Sequence, residues 1–440
     1  MKRAFIVVAF AMSANSADLC VLPSSSGSAN GSDWGNALGA SFTPARGNTY
    51  YIGSGEYGSK TWSTANSGTT QIVIRKATES AHGPSSGWSS SYASGSASWV
   101  GGWQVSTDYW LFDGAQRPSN WRIGETNGYG FYVSSAQSNG KTIRLDNTFS
   151  AWCNNSTFQY IDARAGGPGT GYGDDVVYGI FGNSGITFQY CSLRDSDRTI
   201  FLQRGEWQNL IVDSCYIARN NSTPEIHGEM LSDVGSDYQT FRNNHIVDIE
   251  GTGVWAVLNG TGSKTSTNTA NGWKIYGNVI TRTQTNESVS ATFYAANDGS
   301  NSNWVDNLSF YNNTLVNAGS RYYGIYLQAS GTSNRVINCL WSGTEDAQHV
   351  NVTARYNYYN DTSNNDSGEG STTVTGQTVV SADLNPTGVF IGESLDSEFS
   401  PDPDGITRGA DGTWDIGAYE LVHPTASAGT VTVGTLIIGP

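Results

Sequence analysis

The chain has 440 residues and a formal net charge of −15, which argues against nucleic acid as its main partner, since that affinity rests on Lys and Arg meeting phosphates. Apolar residues make up only 37% and Gly alone accounts for 53 positions. That composition suits short strands and many turns around a narrow core, and no segment sustains the 3.6-residue apolar period of a long helix.

The chain opens on Met1, Lys2 and Arg3, then the apolar run AFIVVAFAM (4–12), then SANSA (13–17). This succession reads as a secretory signal or as a retained first strand. The apolar run is too short to span a bilayer, and no later segment is long enough. Residues 18–150 read as an N-terminal cap and first irregular coils. Their β-branched and aromatic pieces are TYYIG (49–53), QIVIRKA (71–77), YWLFDG (109–114) and KTIRLDN (141–147), joined by Gly/Ser/Trp-rich stretches such as 82–99.

From 151 to 422 a short unit recurs. Its clearest copy is FYNNTL (310–315), with relatives FQYCSL (188–193), VDSCYI (212–217), FRNNHI (241–246), IYGNVI (275–280) and VINCLW (336–341). One column reads Cys191, Cys215, Asn244, Asn278, Asn313, Cys339, in steps of 24, 29, 34, 35 and 26 residues. Repeats of this length belong to solenoids, propellers or arrays. The apolar ends of each unit are an odd number of residues apart, so a bend must restore their phase, and Asn tolerates the left-handed conformation a bend needs. Stacked Asn side chains then hydrogen-bond along the column. With five cysteines at least one is unpaired within the chain; for Cys191 and Cys215 a disulfide and a buried thiol stack both fit.

Each unit is preceded by a second short strand: GIFGN (179–183), TIFLQ (199–203), GEMLS (228–232), GVWAV (253–257), ATFYA (291–295) and GIYLQ (324–328). Alternation with Ile200 and Leu202 inward gives an outward column of Phe181, Phe201, Met230, Trp255, Phe293 and Tyr326. The inward column Ile180, Ile200, Glu229, Val254, Thr292, Ile325 then contains one carboxylate. Glu229 is either buried, with a raised pKa, or turned to solvent by a local register change.

The combination of coil repeat and Asn column resembles the right-handed parallel β-helix of the pectin-lyase-like superfamily, over roughly residues 48–420. The segment DPDGITRGADGTWDIGAYE (402–420) is similar to the tail of bacterial members. The resemblance implies an all-β solenoid with three strands per coil and an Asn/Cys ladder. It also implies a substrate groove at the GEMLS strand and the loop RNNSTPEIH (219–227). That region gathers Glu225, His227, Glu229, Asp233 and Asp237, with Arg198 and Arg204 one coil below.

Two chemistries fit. In β-elimination on an acidic polysaccharide, His227, Arg204 or Arg198 does the proton work, and Glu225, Glu229, Asp233 and Asp237 are the candidates for holding calcium. In hydrolysis, Glu229 and Asp233 or Asp237 flank the scissile bond. Phe201, Trp255, Phe293 and Tyr326 form a sugar-stacking track or pack beneath surface loops. Residues 423–440 read as a linker and a strand, TVTVGTLII (430–438), that caps the solenoid or pairs with another copy. The expectation is an exported polysaccharide lyase-like protein; the alternative is a non-catalytic fibre, adhesin or virion tailspike component on the same rigid rod.

Overall fold

The computed structural model describes residues 16–421 except 125–126, 136–139, 147–151, 167–173, 181, 203–206, 221–227, 234, 258–267, 283–288, 296–302, 318–319, 329–330, 344–346, 363 and 375–389. The signal-like residues 1–15 and the strand-like segment 430–438 lie outside the described residues. Among the described residues no helix is long and apolar enough to cross a membrane.

Among the described residues, short strands stack into three long parallel sheets, of 12, 12 and 10 strands, with one separate two-stranded pair. The chain visits the three in rotation. Ile186–Gln189 lies in the first sheet, Ser192–Ser196 in the second, Arg198–Leu202 in the third, and Ile211–Asp213 returns to the first. The rotation begins early, because Asp18–Val21 already pairs in register with Thr49–Ile52. Strands alternate: in Ser156–Gln159, Ser156 and Phe158 are buried while Thr157 and Gln159 are half-exposed. Each inward residue stacks on its counterpart one coil away, as in the ring stack Phe112–Phe158–Phe188, with centroids 5.0 and 4.8 Å apart. At the N-terminal end Trp62, Trp103 and Trp110 pack around Phe112 at 4.8–5.6 Å, so tryptophans supply the bulk of this part of the core.

The corner from the first to the second sheet carries the Asn/Cys column. The left-handed residue is the one just before it: φ is +57° at Tyr190, +54° at Ser214, +57° at Asn243 and +49° at Asn312, and Gly277 takes the place at +65°. The column residue then uses both ends of its amide. Asn278 Nδ2 donates to Phe241 O of the preceding coil (2.9 Å), and its Oδ1 accepts from Asn244 N (3.0 Å) and Asn244 Nδ2 (2.9 Å). Asn313 Oδ1 accepts from Asn278 N in the same way (3.0 Å).

Cysteine fits the column because a thiol performs weak versions of both bonds. Cys191 Sγ donates to Phe158 O (3.4 Å) and Cys215 Sγ to Phe188 O (3.6 Å), while Cys215 Sγ accepts from Cys191 N (3.4 Å). All five cysteines are buried free thiols. Burial pushes the thiols of Cys153 and Cys339 up to about 12, which makes them poor nucleophiles. A second amide set, not anticipated from the sequence, lines the corner from the third sheet back to the first. Asn183, Gln239 and Asn334 accept there from Cys153 N, Leu210 N and Leu308 N at 3.0–3.1 Å.

The closing segment lies against the outside of the solenoid. Ile416 packs on Leu340, and Ala418 and Tyr419 on Val279. Asn312 Nδ2 donates to Asp415 O and Ala418 N to Thr314 Oγ1. Asp402 is spent on its own turn, accepting from the N–H groups of Asp404, Ile406 and Glu420 at 2.7–3.0 Å.

Candidate functional site

Register across the third sheet differs from the one expected. Paired residues give the inward column Ile143, Val177, Ile200, Leu231, Trp255, Phe293, Ile325, all buried. Trp255 and Phe293 therefore belong to the core, as does buried Met230. The expected outward aromatic run is corrected accordingly. Its true members are Tyr178, Phe201, Ser232, Ala256, Tyr294 and Tyr326. Phe201 and Tyr326 hold their expected outward places, half-exposed, and Phe181 is outside the described residues.

The shift has a physical cause. A single residue separates the second-sheet strand Ser192–Ser196 from Arg198–Leu202, whereas residues 221–230 intervene between Tyr216–Asn220 and Leu231–Asp233. Copies matched by motif alone slip against each other, and an odd slip moves every side chain to the other face. The strand expected at 179–183 is likewise displaced, to Asp175–Gly179.

The corrected column separates two aromatic pairs. Tyr178 and Phe201 lie 5.8 Å apart at 45°, and Tyr294 stacks on Tyr326 at 5.5 Å and 16°. The small residues Ser232 and Ala256 fall between the pairs. Cations crowd the first pair. The Lys141 ammonium sits 4.7 Å from the Tyr178 ring centroid, the Arg144 guanidinium 5.8 Å from it, and the Arg198 guanidinium 3.5 Å over Phe201.

Lys141, Asp175 and Arg198 occupy one level of successive strands. Buried Asp175 bridges the other two, at 2.5 Å to Lys141 Nζ and 2.9 Å to Arg198 Nε. Burial is the main influence on the Asp175 carboxyl and raises its pKa, against the pull of both cations. Arg144 pairs with Asp146. Lys141, Arg144 and Arg198 thus place three cations on this face of a chain of net charge −15, against Asp175 and Asp146 and the buried Asp174 and Asp197 one position before Asp175 and Arg198.

Glu229 is buried, so its turn to solvent is excluded, but it does not occupy the Ile200 column, which Leu231 fills. It stands just before the strand, its carbonyl accepting from Thr199 N (3.3 Å) and Asn220 Nδ2 (2.8 Å). Arg204, Glu225 and His227 lie outside the described residues.

Asp233 and Asp237 each accept hydrogen bonds within the chain. Asp233 is buried, with Oδ1 accepting from Ser236 Oγ (2.6 Å) and Oδ2 from Ser236 N (2.9 Å). Asp237 Oδ1 accepts from Asn271 N (3.1 Å). Among the described residues no three His, Cys, Asp or Glu side chains gather as a metal would require. Lys141, Arg144, Asp175, Tyr178 and Tyr294 were not singled out from the sequence. The signal was present in KTIRL and DVVYG, whose Ile143 and Val177 align with Ile200 and so bring Tyr178 beside Phe201.

No family model matches the chain, and no curated protein matches it. Among solved structures it is similar to PL6 family alginate lyase AlyGC, at 12% identity and TM-score 0.41, over 84% of this chain and 55% of that one. It is also similar to an arginine-to-alanine mutant of AlyGC, at 11% identity and TM-score 0.44, over 93% of this chain and 60% of that one. Pectate lyase Pel9A is similar at 10% identity and TM-score 0.40, over 72% of this chain and 80% of that one. The chain thus spans 55–60% of the length of the two AlyGC chains.

Proposed function

We propose that this is an exported, carbohydrate-acting β-helix protein, three strands to each right-handed coil, that binds an acidic polysaccharide along the outer face of the third sheet. The observation that carries the reading is the patch in which Lys141, Arg144 and Arg198 lie against Tyr178 and Phe201. Aromatic faces pack on the apolar faces of sugar rings, and adjacent cations meet their carboxylates. Tyr294 and Tyr326 form a second aromatic pair on the same face, separated from the first by buried Ser232 and Ala256.

The chemistry that suits such a surface is β-elimination. A base removes the proton α to the uronate carboxylate, the electron pair forms a carbon–carbon double bond, and the glycosidic oxygen leaves and takes up a proton. Arg198 is proposed to bind the carboxylate, where its charge stabilises the enolate-like transition state. His227 or Arg204 is proposed as the base.

The test is incubation with alginate, polygalacturonate and neutral glucans, with and without added calcium, following the ultraviolet absorbance of unsaturated ends and the release of reducing ends. Unsaturated ends from an acidic polymer alone support elimination. Reducing ends without unsaturation replace it by hydrolysis. Silence on every polymer, with rods or filaments under the microscope, favours the non-catalytic fibre, a reading that the three continuous stacked sheets also suit.

A further inference from the structure

A cavity of about 370 Å³ lies on a different face, at the corner of the first and second sheets beneath the closing segment. Its floor is built from the left-handed corner residues Tyr190, Ser214 and Asn243 and from Asp213, Arg242 and Tyr276 of the first sheet. Residues 401–405 and Glu398 form its roof, and Arg117 reaches in from the loop after Trp110–Asp113.

Four carboxylates and two guanidiniums line this cavity. Every carboxylate lining it is already engaged. Asp213 pairs with Arg242 at 2.8 Å, Glu398 with Lys274 at 2.5 Å and Asp404 with Arg122 at 2.6 Å. Asp402 is consumed by backbone N–H groups. Arg117 has no carboxylate within ion-pair distance among the described residues. Its Nη1 donates to Ser214 O (2.7 Å), and its guanidinium lies between the rings of Trp121 (4.0 Å) and Tyr190 (4.6 Å). Two further polar atoms at the cavity, Arg242 Nε and Asn243 Oδ1, are buried without a hydrogen-bond partner.

A half-buried guanidinium held by aromatic rings, with donor capacity to spare, is a carboxylate receptor. Tyr190 is half-exposed beside Arg117, and the volume falls in the range of small-molecule sites. We propose that this cavity binds a small carboxylate-bearing ligand of single-sugar size, its carboxylate on Arg117. The site shares no residue with the third-sheet face.

Titration calorimetry with D-glucuronate and with its neutral counterpart D-glucose tests this. Saturable binding of glucuronate, with glucose at least tenfold weaker, is expected. Arg117→Gln should weaken glucuronate at least tenfold. Glu398→Gln, a change at an exposed rim position, should leave the fold intact and tighten glucuronate about twofold by removing a negative charge. Phe201→Ala on the third sheet should leave it unchanged, which separates this site from the polysaccharide face. No binding to wild type, equal binding of glucose, or affinity unmoved in both the Arg117 and Glu398 variants would overturn the proposal.

Discussion

At the scale of single residues, an amide and a thiol are interchangeable in the ladder because each donates to the carbonyl of the coil before and accepts the N–H of a column neighbour. They are not equal in strength. Asn278→Ala strands Phe241 O and Asn244 N in a dry interior, and should cost about 2–4 kcal/mol by the usual penalty for unpaired buried groups. Cys215→Asn should be neutral or stabilising, since both partners, Phe188 O and Cys191 N, are already in place. Urea denaturation of the two variants checks both; a Cys215→Asn protein as damaged as Asn278→Ala would refute the shared role.

Two buried histidines give the fold an acid limit. His349 lies among Trp341 and Tyr359, its Nε2 2.9 Å from the Tyr359 hydroxyl, and that hydroxyl donates to Asp366. Burial lowers His349 to about 4, and His245, packed on Tyr216, also to about 4. The folded-state values lie below the unfolded value near 6.5, so the unfolded chain takes up the protons first. Their contribution is complete above about pH 6.5 and is lost as pH falls towards 4. It amounts to roughly 3 kcal/mol per histidine. Unfolding free energies at pH 7 and 4.5 should fall more steeply in wild type than in His349→Gln; parallel slopes would remove His349 from the account.

At the scale of elements, the sequence made the ladder corner readable because one chemical constraint, an Asn or Cys after a left-handed residue, recurs at every turn. The third sheet was harder to read. Its strands are aligned by hydrogen bonds to their neighbours, and the connections leading into it range from one residue to ten, so no local motif fixes their phase. Glu229 and Trp255 were placed by counting from a motif, and each came out shifted against the true column. The sequence left Glu229 open between burial and solvent, and the salt-bridged level Lys141–Asp175–Arg198 could not be read at all, because its members lie 34 and 23 residues apart with no repeat to mark them. The corrected register predicts a sharp contrast. Trp255→Ala should cost about 3–5 kcal/mol, as for any large core truncation, whereas Tyr294→Ala, on the opposite face, should cost less than about 1.5 kcal/mol. Comparable losses in thermal unfolding would contradict the assignment.

For the whole molecule, a chain of net charge −15 presents an aromatic patch flanked by Lys141, Arg144 and Arg198 on the outside of a stacked parallel solenoid. Overall charge opposes an acidic polymer at long range, and salt screens that repulsion and the local attraction alike. Contacts to aromatic faces persist in salt, so the patch should hold its ligand through both kinds of contact. The most direct measurement is affinity electrophoresis or calorimetry on alginate and polygalacturonate, comparing wild type with Phe201→Ala and with the Tyr178→Ala/Phe201→Ala pair. The account predicts measurable binding of an acidic polymer, weakened about tenfold by the single change and further by the double, at unchanged thermal stability. Equal affinity in all three proteins would contradict it.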